Sequence, residues 1–276
     1  MLTKPALAPG VQSVPVRRRG ARLERDLVVV EDPLEIRVDG KPLVVTMRTP
    51  GHDSELAAGF LFGEGVVGNA DEIVSIQAQA GSSQRDTQIR VANFSGDAVD
   101  MTLREGLAKP NVAHAEREFR ATAACGVCGK TEIADLDADL PAVVPMEVDP
   151  SLLETLPDTL RRAQELFEAT GGIHAAGIFD PHGSLLCSYE DIGRHNAVDK
   201  AIGHFVLKNA MPLSDRILVV SGRAGFELVQ KALKASIPVM VSVGAASSLA
   251  VQMATDASMA LYSFAGPGHG NLHVRE

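Results

Sequence analysis

Three things are scarce in this chain of 276 residues, and each scarcity closes off a class of function. Cysteine occurs three times, an odd number for a disulfide framework. In a reducing compartment a spaced thiol pair points instead to metal binding or redox and sulfur chemistry. No stretch approaches the roughly 20 consecutive apolar residues that cross a bilayer. The opening MLTKPALAPGVQSVPVRRRG carries prolines and no apolar run of leader length. A soluble cytoplasmic protein without a membrane partner is expected. Basic charge is scarce as well: 26 Lys and Arg stand against 35 Asp and Glu, for a net charge of -9. The basic residues are dispersed except for RRRG near the start, so the footprint of a nucleic-acid binder is missing and no nucleic-acid partner is expected.

Apolar residues are plentiful, at 45%, enough for one large domain or two modest ones. The expected division is a tail over 1–21, a β-rich N-terminal part over 22–145, and an α/β part over 146–276. LEIRV-DG-KPLVVTM reads as two strands joined by an Asp-Gly turn. In TPGHDSELAAGFLFGEG, Asp53 is the expected N-cap of a short helix that stops at Gly63 and Gly65. EIVSIQAQA and TQIRVANFS flank the polar GSSQRD and suggest another hairpin. Residues 121–130 read as a loop, and the proline-rich LDADLPAVVPMEVDP as a connection. LPDTLRRAQELFEATGG predicts one helix with a glycine stop. HAAGIF-DPHG-SLLCSYE predicts a hairpin, followed by a helix that places Val198, Ala201, Ile202, Phe205 and Val206 on one face. Then come the strand RILVV, the turn SGRAG, the helix FELVQKALKAS, the strand IPVMVSV, the turn GAAS and the helix SLAVQMATDASMA. Continuously apolar strands in this β-α-β-α run imply a sheet covered on both faces.

The chemistry concentrates in ATAACGVCGKTEI. Cys125 and Cys128 form a C-x-x-C flanked by Gly126 and Gly129 on the expected loop. This spacing lowers the pKa of one thiol, and the glycines leave the backbone open to a bulky partner. A half zinc site is the alternative, but the chain has no second C-x-x-C or H-x3-H to complete it. A zinc deaminase is also a poor match, because Ala176 stands where the general-acid Glu would follow His174 and no proline precedes Cys125. Sulfur chemistry is therefore favoured over zinc. Cys187, among apolar neighbours of a strand, reads as a buried small hydrophobe. EDIGRHNAVDKAIGH crowds Glu190, Asp191, Arg194, His195, Asn196, Asp199 and Lys200 at a strand-to-helix junction. There His195 and Asp199 share one helix face, as do Asn196 and Lys200. The turn SGRAG, with Ser221 and Arg223, is a second cationic junction. Two such junctions make a phosphate-bearing or nucleotide-like ligand plausible.

EDPLEIRVDGKPL, TPGHDSELAAGFLFGEG, CGVCG, TGGIHAAGIF, EDIGRHNAVDKAIG and SGRAGFELVQKA, in this order, resemble the formate dehydrogenase accessory sulfurtransferase family, FdhD. The resemblance runs from about residue 22 to near the end. It implies a sulfurtransferase, a carrier that takes persulfide sulfur from a cysteine desulfurase. The sulfur then goes to the molybdenum or tungsten bis-guanine-dinucleotide cofactor of formate dehydrogenase, which is bound as a substrate. It also implies a cytidine-deaminase-like α/β domain without deaminase chemistry, no zinc, and a homodimer. The persulfide-bearing position maps to Cys125, with Cys128 as its accessory. Cofactor contacts map partly to Phe264, Ala265, Gly266, Pro267, Gly268 and His269. Here the chain departs from its relatives, because Gly266, Pro267 and Gly268 supply no cation where an Arg is expected. Asp191, Arg194, His195, Ser221 and Arg223 are the further pocket candidates. The rival reading is a cofactor-binding chaperone for formate dehydrogenase with redox-sensing cysteines.

Overall fold

The computed structural model describes residues 10–17, 23–80, 96–106 and 140–273. Strands β1 (Val11–Arg17) and β2 (Leu23–Val29) form an antiparallel ribbon. Strands β3 (Asp32–Val38) and β4 (Lys41–Arg48) are the hairpin expected at Asp39-Gly40, where both turn residues take the positive φ that an Asp-Gly pair tolerates. With β5 (Ile73–Gln79) and β6 (Asp97–Leu103) they build a four-stranded sheet in the order β4-β3-β6-β5. Among the described residues β5 pairs antiparallel with β6; TQIRVANFS, its expected hairpin partner, lies outside the described residues.

Helix α1 (Asp53–Gly63) starts differently from expectation. Its N-cap is His52, at φ 59°, and Asp53 is already its first helical residue. The reason is Arg48, which is fully buried and donates from Nε and Nη2 to both Asp53 carboxylate oxygens at 2.9 Å. A paired charge is stronger than a cap hydrogen bond, so the carboxylate turns toward the guanidinium. The same Nη2 lies 2.6 Å from Asp97, tying the start of α1 to β6.

Residues 140–273 wrap a six-stranded sheet. Short helices α2 (Pro150–Leu153), α3 (Leu156–Arg162) and α4 (Glu165–Thr170) come first. The single helix expected over LPDTLRRAQELFEATGG is therefore two, broken at Gln164 with ψ 83°. Strands β7 (His174–Phe179) and β8 (Leu185–Asp191) are the expected hairpin, followed by α5 (Arg194–Leu207). Then β9 (Ile217–Val220), α6 (Phe226–Lys234), β10 (Val239–Ser242), α7 (Ser248–Asp256), β11 (Ala260–Gly266) and β12 (His269–His273) complete the sheet. Its order is β12-β11-β10-β9-β7-β8, with β9, β10 and β11 parallel. Helix α7 ends earlier than expected, because Ser258 takes φ 62° just before β11.

Every residue of β9 and β10 is buried, as a doubly covered sheet requires. Alternation sorts their side chains between two cores. Leu218, Val220 and Met240 join a cluster with α1, α5, α6, α7 and the four-stranded sheet. Ile217, Val219, Val239 and Val241 pack instead with Leu153, Leu156 and Leu160 of α2 and α3. One core thus runs from the N-terminal sheet into the C-terminal one, and the α1–α5 contact carries it. The helices touch backbone to backbone: a methyl at Gly59 would overlap the Asp199 carbonyl, and one at Gly203 would overlap that of Glu55.

Replacing Gly203 by Ala should cost about 3 kcal/mol or more in urea unfolding, because backbone on both sides must move. Gly225→Ala, where a Cβ meets nothing within 4 Å, should stay within about 0.5 kcal/mol of the parent. Equal stability of the two variants would contradict the close contact.

Candidate functional site

The end of β8 organises the site. Successive strand residues face opposite ways, so Glu190 and Asp191 reach opposite faces of the sheet. Asp191 is fully buried and its Oδ2 lies 2.7 Å from Lys200 Nζ. That oxygen also accepts the Thr49 N–H at 3.1 Å, while Oδ1 accepts from Gly193 N–H at 2.8 Å and from Asn196 Nδ2 at 3.0 Å. Lys200 in turn donates to the Thr49 carbonyl at 3.0 Å. Asn196 also donates to the Met47 carbonyl at 2.8 Å, and Thr49 Oγ1 accepts from Ile192 N–H at 3.1 Å. The predicted shared face of Asn196 and Lys200 is thus spent on one carboxylate. On the other side, Glu190 accepts the N–H groups of Leu166 and Phe167, each at 2.8 Å, and caps α4. Burial raises the Glu190 pKa, and these two amides oppose the rise.

Beyond Asp191 lies a cavity of about 240 Å³ between β4, the end of α1, and the starts of α5 and α6. Arg194 and His195 line it. His195 Nε2 lies 2.5 Å from Glu227 and Asp199 lies 2.6 Å from Lys231, so the i,i+4 pair of α5 meets an i,i+4 pair of α6. Burial pulls Lys231 down, but the carboxylates of Asp199, Glu64 and Glu227 outweigh it and raise its pKa. Its ammonium stays charged in the cavity wall.

A larger cavity, about 700 Å³, opens between α3, α4 and the carboxyl ends of the parallel strands. Ser221, Ala265, Gly266, Pro267 and His269 line it. Ser221 Oγ accepts the Ala175 N–H at 2.9 Å, which leaves its own proton for a ligand. His269 Nδ1 donates to the Phe264 carbonyl at 2.7 Å, an inward fold that Gly266 permits, since a Cβ there would lie 2.8 Å from the ring. Phe264 itself is 49% exposed, Arg223 is exposed, and neither lines either of these two cavities. Gly268, at φ 75° in the turn before β12, lines neither as well. Asp191 acts on the small cavity only through Gly193 and Asn196, which line it. Cys125 and Cys128 lie outside the described residues.

Two side chains belong to the walls of both cavities, His174 and Ile192. His174 opens β7 beside the SGRAG turn, where Gly222 keeps its distance only by lacking a side chain: a Cβ would sit 3.2 Å from Nδ1. Burial lowers the His174 pKa, and Arg194, His195 and Arg223 lower it further against a smaller pull from Asp191. The ring is a neutral imidazole at neutral pH. Sequence reasoning weighed His174 only as a zinc ligand; the signal for its position was the glycine pair before it and the apolar strand after it. The wall made by Arg161, Gln164 and Phe167 was missed, because a continuous helix would have spread these residues differently.

The sequence pattern of the FdhD/NarQ family matches residues 29–275. This chain belongs to that family. It is 44% identical over 258 residues to a sulfur carrier protein FdhD of Streptomyces avermitilis, covering 91% of this chain and 88% of the relative. It is 47% identical over 252 residues to the protein of the same name from Corynebacterium efficiens, covering 91% and 90%. Its fold is similar to a crystal structure described as a formate dehydrogenase accessory protein from Desulfotalea psychrophila. The TM-score is 0.71, at 22% identity over 95% of each chain. In FdhD/NarQ terms, the GRHNAVDK stretch of this member is the α5 start that meets Asp191.

Lys200→Met strands the Asp191 carboxylate and should cost about 3–5 kcal/mol in chemical unfolding. Combining it with Asp191→Asn should recover a measurable part of the loss. A single variant within about 1 kcal/mol of the parent would show that the pair carries no weight.

Proposed function

We propose that this chain is a sulfur carrier that serves formate dehydrogenase. The observation that carries the reading is identity of 44–47% with sulfur carrier proteins over nine-tenths of its length. In this reading the Cys125 thiolate attacks the outer sulfur of a cysteine desulfurase persulfide. The donor S–S bond breaks and the donor cysteine leaves as a thiolate. The Cys125 persulfide then passes its outer sulfur to the molybdenum or tungsten bis-guanine-dinucleotide substrate: its S–S bond breaks and Cys125 leaves as a thiolate. The reduced metal of the substrate supplies the two electrons that bring the sulfur to the sulfide level, and Cys128 tunes the thiolate. The protein acts as a cytoplasmic homodimer.

Two features support this assignment of roles. Burial pushes the Cys187 thiol up to about 12, so it holds no useful thiolate fraction at neutral pH, and the chemistry falls to the C-x-x-C pair. The larger cavity, against the carboxyl ends of parallel strands, offers the concave, mostly apolar setting that nucleotide groups occupy. Arg194, His195, Ser221 and the Ala265–His269 segment are the contacts assigned to the cofactor on this reading, with Asp191 positioning the first two through the start of α5.

Cells lacking their own carrier and supplied with Cys125→Ala should show formate dehydrogenase activity at least 100-fold below those supplied with the parent, at equal protein level. Activity retained by the variant, together with lost sensitivity to oxidants, would favour the chaperone reading.

A further inference from the structure

The small cavity holds an acceptor that no other group of the described chain satisfies. Glu227, in the first turn of α6, has a side chain only 12% exposed, and its Oε1 is the one buried side-chain oxygen without a hydrogen bond among the described residues. Its other oxygen, Oε2, lies 2.5 Å from His195 Nε2, an ion-pair contact that ties the carboxylate to the start of α5. Glu227 is also one of the carboxylates that keep Lys231 charged, so it stands as an anion that accepts at both oxygens and donates at neither. Turning the group over changes nothing, because whichever oxygen leaves His195 still needs a donor. A buried acceptor without one costs stability, and a ligand that brings the donor recovers it.

The neighbouring polar groups do not meet that need. Asn196 donates to Asp191 and to the Met47 carbonyl, Thr46 donates to Asn196 at 3.5 Å, and Lys231 donates to Asp199. Glu64 and Gln230 are engaged as well. Of the remainder, Glu31 is exposed, His174 stands where the two cavities meet, and Arg194 can only donate, which suits an acceptor elsewhere on the same ligand. Apolar surface completes the wall, from Phe60 on α1, Phe226 beside Glu227, and Val44 on β4. Such surface suits the faces of a flat ring, and a carboxylate among it calls for N–H groups on the ring's edge.

We propose that Glu227 is a specificity-determining residue whose carboxylate accepts the exocyclic amino group of a planar heterocycle seated in the small cavity. This rests on the reading of the preceding subsection, whose substrate carries a 2-amino group on both its guanine and its pterin rings. A ring without that group leaves the buried oxygen unpaired and binds more weakly.

The test uses the full chain and two ligand pairs that differ only in the 2-amino group. One pair is GDP and IDP; the other is pterin and pteridin-4-one. By calorimetry the parent should bind the amino member of one pair at least tenfold more tightly than its partner. A response from the guanine pair seats the purine in this cavity, and one from the pterin pair seats the pterin there. Glu227→Met, which keeps the length and removes the acceptor, should abolish the preference. Glu227→Asp, which withdraws the carboxylate by one methylene, should reduce it and decides the matter where the Met variant does not fold. No discrimination by the parent in either pair overturns the proposal, since water alone then serves Oε1. So does a folded variant that weakens both members of a pair alike, because Glu227 would then be structural. Sulfur uptake from a desulfurase is read on the same parent protein. Its absence with Glu227-dependent discrimination intact sinks the carrier reading and leaves this inference standing, and uptake without discrimination does the reverse.

Discussion

A carboxylate with no exposed surface holds the two sheets in register. Burying Asp191 and Lys200 removes two charges from water, and their mutual attraction offsets that only when every remaining lone pair and proton is used. Here they are used. Thr49, Gly193 and Asn196 donate to Asp191, and Lys200 donates onward to Thr49. Because Thr49 lies between β4 and α1 while the other partners open α5, this network fixes how the N-terminal sheet meets the start of α5. The glycine contact between α1 and α5 then brings the backbones together, and the small cavity is what remains between them.

Strand pleating turns that single junction into a two-sided device. Asp191 serves the face toward α5 and the small cavity, and Glu190, one residue earlier, caps α4 beside the large one. His174, at the start of the neighbouring strand, stands where the cavities meet and is kept uncharged by burial and by the cations around it. The surroundings of Cys187 work against thiolate chemistry: burial raises its pKa and keeps the thiol protonated at neutral pH.

Elements whose signal is local were legible in the sequence. The Asp39-Gly40 turn, the DPHG hairpin and the alternating strands and helices after it need only neighbouring residues to specify them. The i,i+4 faces of α5 were legible too, although not their partners: His195 and Asp199 meet Glu227 and Lys231 across more than thirty residues of chain. What failed depended on distant atoms. Asp53 left the cap position for Arg48, a residue whose burial no local pattern reveals. The helix over 156–172 broke because Glu190 supplied a cap from another strand, which made a break at Gln164 tolerable. Arg223, in the turn after β9, and Phe264, within β11, were singled out for the pocket but are exposed, and the Arg223 turn is packed so closely on Gly244 that a Cβ there would lie 3.0 Å from the Arg223 backbone.

Sulfur carriage by Cys125 is tested by intact-protein mass spectrometry after incubation with a cysteine desulfurase and cysteine. A gain of one sulfur mass, removed by reductant, is expected on the parent and on Cys128→Ala but not on Cys125→Ala. No sulfur adduct on any form, with a desulfurase shown to be competent, would contradict it and make the thiol pair a bystander to cofactor binding.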